Sequence, residues 1–310
     1  MTHGFSIGEA LADGFRLIRR RPLGVFAWGA LLTVPLLLSM FLMIDLMASL
    51  GLDAMTADEP GPRAYAAIMR LQALSGLLNV LQLGGYVLIV AAVCRAVLWP
   101  ERAPGRFFDL RIGMDEARVA VAGLAVLVGF YGVMVVILML AFAFGAALWM
   151  VSEAAAVILG VLVGVSGLIG AAWAALRASM ILPASVALKD FAFVAGWKMT
   201  QGRVSPLLGL FVAMVAIAIL IQVLVMTVAA LIALALSIPF WPQLAAWAAG
   251  AQAGSTPPLS FGLIVTLGIA VFPMIALYYG VVTVIMTAPY VSACRQMLAA
   301  RDETSMVEVS

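Results

Sequence analysis

Six stretches of this chain are each long and apolar enough to cross a lipid bilayer: roughly 23–48, 73–98, 119–149, 155–186, 204–237 and 261–291. A spanning helix needs about 20 apolar residues at about 1.5 Å rise each. The bilayer core offers no water to a free peptide group, so a lone stretch of this kind can satisfy its backbone only as a helix. The expected fold class is therefore an all-α integral membrane protein with six transmembrane helices. Charge points the same way. Of 310 residues, 65% are apolar and 10% charged, against about 25% charged in a soluble domain. Seventeen Lys/Arg and 15 Asp/Glu are too few to cover a water-facing surface. Arg19-Arg20-Arg21 followed by an apolar run has the look of a secretory leader. The run lasts from about Pro22 to Leu50, however, and leader cores are about 7–15 residues, so it is expected to remain as the first span. Pro35 and Pro273 lie inside spans and are expected to kink them.

The basic residues set the orientation. Arg16, Arg19, Arg20 and Arg21 precede span one; Arg102, Arg106, Arg111 and Arg118 link spans two and three. Lys189, Lys198 and Arg203 link four and five, and Arg295 and Arg301 follow span six. The opposite side holds Arg63 and Arg70 beside Asp53, Asp58 and Glu59. Both termini are expected on the cytoplasmic side. The excess of Arg over Lys, with abundant Ala and Gly, suits a GC-rich bacterial genome, so the expected location is the bacterial cytoplasmic (inner) membrane. Trp241 and Trp247, in the last outer loop, are of the type that anchors at headgroup level.

Three basic segments look amphipathic. Phe5–Arg20 sets Phe5, Ile7, Leu11, Phe15 and Ile18 near one helical face, and Ser6 with Glu9 forms a capping box at its start. Arg106–Arg118 and Asp190–Arg203 have the same character, with Gly14, Gly113 and Gly196 at similar places in the three. Such helices lie in the interface plane. The inward spans also end alike, at Cys94-Arg95 and at Cys294-Arg295, while Arg177 with Pro183 resembles Arg95 with Pro100. The expected organisation is a single membrane domain over 1–310 made of three repeated hairpin units, each preceded by a cytoplasmic amphipathic interfacial helix. Repeat one covers 5–100, repeat two 104–187 and repeat three 188–298; a flexible cytoplasmic tail occupies 299–310.

The segment Leu176–Leu210 carries Arg177, Pro183, Asp190, Trp197-Lys198, Gly202-Arg203 and Leu207-Leu208. This pattern, with the opening FSIGEALADGFRLIRRRPLGVF, resembles the membrane domain attached to some bacterial glycerophosphodiester phosphodiesterases and the stand-alone bacterial membrane proteins related to it. The phosphodiesterase of that family is a separate soluble barrel bearing His and carboxylates, which this chain lacks. The resemblance therefore implies membrane architecture without hydrolytic activity.

Ionisable residues near spans are functional suspects. Arg95 and Arg177 each lie within snorkelling distance of an expected helix exit. Two readings stay open for them: interfacial anchors, or ligands for a phosphate or another anion, whose oxygens suit the guanidinium fork. Arg95, Arg177, Lys198, Arg203, Arg20 and Arg21 are the candidate contacts for an anionic lipid or substrate. Asp45 is either a wetted interfacial carboxylate or part of an ion relay. Asn79, Gln82 and Gln222 either join helices or line a pore. Gly160 and Gly164 allow close helix approach, within the chain or between copies. Cys94 and Cys294 are read as buried apolar residues. The single histidine, His3, excludes a Ser/His/Asp triad within the spans, and neither a phosphate loop nor a metal-ligand cluster is present. No catalytic residue, cofactor or metal is expected, and no nucleic-acid partner. Two functions follow as expectations: a module binding or moving lipid or an amphipathic solute, or an accessory subunit that associates with another membrane protein or with itself through Gly160 and Gly164.

Overall fold

The computed structural model describes residues 5–50, 61–101, 106–149, 152–252 and 261–309. These are helical almost throughout, with no strand among the described residues. The helices are α1 (Ile7–Arg20), α2 (Pro22–Leu50), α3 (Pro62–Leu98), α4 (Met114–Trp149), α5 (Glu153–Ala178), α6 (Ile181–Ala187), α7 (Phe193–Met199), α8 (Val204–Ser237), α9 (Trp241–Gln252) and α10 (Phe261–Val309). Six segments are long and apolar enough to span a membrane: Pro22–Met43, Tyr65–Leu98, Met114–Trp149, Glu153–Ala187, Val204–Gln243 and Gly268–Arg301. They coincide with the six stretches expected. The side chains of Asp45, Asp53, Asp58, Glu59, Arg63, Arg102, Arg106 and Trp247 lie outside the described residues.

The longest helix, α10, is the hub, packing against α1, α2, α3, α6 and α8. On one side, Val25, Trp28 and Leu32 of α2 meet Ile89–Val97 of α3 and Val284, Ala288 and Val291 of α10. On the other, Met180 and Ala184 meet Leu207, Leu210 and Met214 of α8 and Ala293, Cys294 and Met297 of α10. α4 and α5 form an antiparallel pair, joined to the rest by α4 against α3 and α6 and by α5 against α7 and α8. Ser152 caps α5, its Oγ accepting the Ala155 N–H at 3.4 Å. Nearly all buried residues lie in the halves of the spans next to the arginine-bearing segments. Towards the opposite end α4, α5 and α8 expose Val, Leu, Ile and Phe along their length, which a bilayer accommodates and water does not.

The three basic segments differ from one another. α1 forms over its whole length and packs on protein through Ala10, Gly14 and Leu17, which are buried; Gly14 faces Ala288 and Pro289 of α10, Ile7, Leu11 and Ile18 are half-buried, and Phe15 of the expected apolar face is exposed. Half of the expected capping box forms. Ser6 Oγ accepts the Glu9 N–H at 3.4 Å, while the Ser6 N–H donates to Gln296 Oε1 at 2.8 Å. The second segment is no separate helix. Arg106–Asp109 is one 3-10 turn, and α4 then begins at Met114. Phe108 and Asp109 adopt positive φ of 58° and 64°, a left-handed backbone that ends a helix. Long-range bonds hold them there: the Phe108 carbonyl accepts from Trp28 Nε1 at 2.9 Å, and the Asp109 carbonyl from Arg95 Nη2 at 2.7 Å. In the third segment only Phe193–Met199 is helical. Gly14, Gly113 and Gly196 accordingly have unlike settings: a helix contact, a bend before α4, and a close crossing in which a Cβ on Gly196 would stand 2.7 Å from Ile181 Cα. The backbone of 299–309 continues α10 as helix.

Candidate functional site

Three arginines close the basic end of the bundle, each reaching from the end of a span to a segment distant in sequence. Arg95, at the end of α3, is buried and donates through Nη1 to Glu116 Oε1 at 2.5 Å, with Asp115 Oδ2 at 3.7 Å. Arg295, near the end of the apolar part of α10, donates to Asp13 Oδ2 of α1 and to the Val97 carbonyl, both at 2.8 Å. Arg177, in the last turn of α5, donates through Nη2 to the Trp197 carbonyl at 3.1 Å and through Nε to Thr200 Oγ1 at 3.4 Å.

The electrostatic difference among them is sharp. Arg95 and Arg295 are neutralised by carboxylates; Arg177 meets only neutral acceptors among the described residues. Its guanidinium lies 4.4 Å from the ring centroid of Trp197 and 5.1 Å from that of Trp173. The two indoles meet edge to face at 5.9 Å. Stacking of this kind stabilises a cation by about 0.5–2 kcal/mol without cancelling its charge. Local sequence explains the arrangement. Trp173 and Arg177 are one helical turn apart on α5, so they share a face. Trp197 is brought to them because Gly196 lets α7 close directly on the start of α6.

Trp197 also lines a cavity of about 600 Å³ between α4, α5, α6 and α7. Gly123, Gly129, Ala171, Ala174 and Ala178 leave the space, and Phe130, Val133, Leu182 and Phe193 complete an apolar wall. Small-molecule sites commonly measure about 300–1,000 Å³. A second cavity of about 190 Å³ adjoins it, sharing Tyr86, Ser179 and Leu182 and reaching Cys94, Thr287 and Tyr290. The site is thus an apolar slot with Arg177, a cation that has no carboxylate partner among the described residues, stacked on its Trp197 wall.

The remaining candidates fall elsewhere. Lys198 is exposed on α7, and Arg203 is half-buried at the start of α8. Arg20 is exposed in the last turn of α1, and Arg21 pairs with Asp109. Gly160 and Gly164 have no heavy atom within 4 Å of where a Cβ would stand, whereas a Cβ on Gly167 would meet Ile137 of α4. Trp173 and the small residues of the slot were not singled out in the sequence. The Trp-x-x-x-Arg spacing on one helix was the available cue. Cys94 and Cys294 are both buried free thiols, and no cluster of metal-ligating side chains occurs among the described residues. No family model, no curated protein and no solved structure matches the chain.

Proposed function

We propose that this chain is a non-catalytic module of the bacterial inner membrane, with both termini cytoplasmic, that binds or moves lipid or another amphipathic solute. The reading rests on one observation: Arg177, a cation with no carboxylate partner among the described residues, is stacked on Trp197, and Trp197 is itself a wall of the 600 Å³ apolar cavity. An amphipathic anion would lay its hydrocarbon part in the slot and its charged oxygens against the guanidinium. A hydrogen bond to a charged group contributes about 1.5–3 kcal/mol, or roughly 10- to 150-fold in affinity. The likeness to stand-alone relatives of a phosphodiesterase membrane domain belongs to the same proposal. Such a chain keeps the membrane part and does no hydrolysis.

The test is the lipid content of protein purified in mild detergent and examined by native mass spectrometry. A defined lipid should be retained by the parent and lost from Arg177→Gln and from Ala174→Trp, which fills the slot. Identical lipid content in all three proteins would rule the reading out.

A second reading, an accessory subunit, is favoured by the open face around Gly160 and Gly164. It predicts that Gly160→Leu abolishes a protein partner or a second copy recovered by cross-linking in native membranes. Recovery of the chain alone from the parent would count against it.

A further inference from the structure

A further pocket, apart from the slot beside Trp197, lies at the junction of α1, α3 and α10 and has a volume of about 250 Å³. Its wall carries Arg16, Arg20, Arg21 and Arg295 against the carboxylates Asp13 and Glu101. Asp13 is fully engaged. Its Oδ2 accepts from Arg295 at 2.8 Å and from Ser292 Oγ at 2.6 Å, and its Oδ1 accepts from Arg16 at 3.0 Å. Arg295 is held in place by this bond and by the Val97 carbonyl; Arg21 is held by Asp109. Arg20 is exposed and makes no hydrogen bond or ion pair among the described residues. The C-termini of α1 and α3 also end here, each equivalent to roughly half a negative charge. Three of the four guanidiniums are engaged by Asp13 or Asp109, which leaves Arg20 as the one without a carboxylate partner among the described residues.

We propose that this pocket binds a phosphate group. Arg21 and Arg295 are fixed by the protein, Arg16 is exposed and rests on Asp13, and Arg20 is free to fold over a ligand. Planar forks of N–H donors match tetrahedral phosphate oxygens better than any neutral group does. The phosphate belongs either to a lipid headgroup at the membrane surface or to a soluble phosphate. The pocket shares no lining residue with the slot beside Arg177, so this proposal stands or falls independently of the lipid reading.

The test is isothermal titration of the full chain in detergent with inorganic phosphate and with dihexanoyl phosphatidic acid. At least one should bind, and binding should weaken about tenfold or more in Arg20→Gln and in Arg16→Gln, from the loss of a charged hydrogen bond. Both side chains are exposed, so the fold should survive. Glu101→Gln removes negative charge and should tighten binding. Arg177→Gln should leave it unchanged, which separates this pocket from the slot. Binding of inorganic phosphate identifies a soluble ligand, and binding of phosphatidic acid alone identifies a lipid headgroup. No binding of either compound at millimolar concentration overturns the proposal. So does affinity that is the same in the parent, Arg20→Gln and Arg16→Gln, or affinity that depends on Arg177.

Discussion

Gly29 of α2 and Gly280 of α10 face each other where the two helices cross backbone to backbone. A Cβ on Gly29 would run into the Ala276 carbonyl, and one on Gly280 into the Val25 carbonyl. Neither obstacle is a side chain that can swing aside. The buried residues Val25, Trp28 and Val284 surround the crossing. Gly29→Ala and Gly280→Ala should each lower stability by about 1–3 kcal/mol or more, the usual cost of overpacking. Gly160→Ala and Gly164→Ala, which meet open space, should change it little. Thermal midpoints of the size-exclusion peak would compare the four; a Gly280→Ala protein that melts with the parent would contradict so close a crossing.

The Arg95–Glu116 pair is buried, at 9% and 6% side-chain exposure, and Glu116 Oε2 has no hydrogen-bond partner among the described residues. Removing one member leaves the other charge stranded, at a cost of about 3–5 kcal/mol. Arg95→Met should therefore destabilise strongly, and Arg95→Met with Glu116→Leu should recover much of the loss. Denaturant unfolding of the two variants measures this. The expectation fails if the double variant is no more stable than the single one.

Arg177 should behave differently from Arg95. Arg177→Lys keeps the charge but loses the planar stack on Trp173 and Trp197. It should alter stability by only about 0.5–2 kcal/mol while reducing retained lipid. Trp197→Ala removes stack and cavity wall together and should reduce retained lipid further. Lipid-to-protein ratios by mass spectrometry supply the ordering.

Trp28 ties α2 to the left-handed turn at Phe108. Trp28→Phe deletes that donor at about 1 kcal/mol. Amide hydrogen exchange across 106–113 should quicken while the rest of the chain stays protected. Unchanged exchange there would show that Arg95 and Arg21 hold the turn alone.

Cys94 and Cys294 are 1% and 0% exposed. Neither should react with a maleimide while the chain is folded, and both should react after denaturation in SDS. Labelling of the folded protein at either site would show that the basic end of the bundle opens.

The spans were legible because membrane helices are specified locally. An apolar run such as 119–149 has to form its own hydrogen bonds wherever it sits in the bilayer. Segment 106–118 was misread for the opposite reason. Its apolar and charged periodicity is real, but bonds from Trp28 and Arg95 override it by holding Phe108 and Asp109 at positive φ. The candidate site was half legible. Arg177 stood out as a cation near a span, and only Trp173 one turn before it, where Arg95 has Ala91, set the two apart in sequence.

The sequence by itself thus determined six membrane-spanning helices and the charged segments gathered at one end, since both follow from transfer energies and backbone bonding within each segment. Tertiary structure alone decided which arginines are neutralised, which residues of α1 are buried against α10 and how a cavity opens beside Trp197. Those outcomes depend on partners far apart in the chain, as with Asp13 and Arg295, 282 residues distant. Only packing brings such groups within the few ångströms over which charges and rings interact.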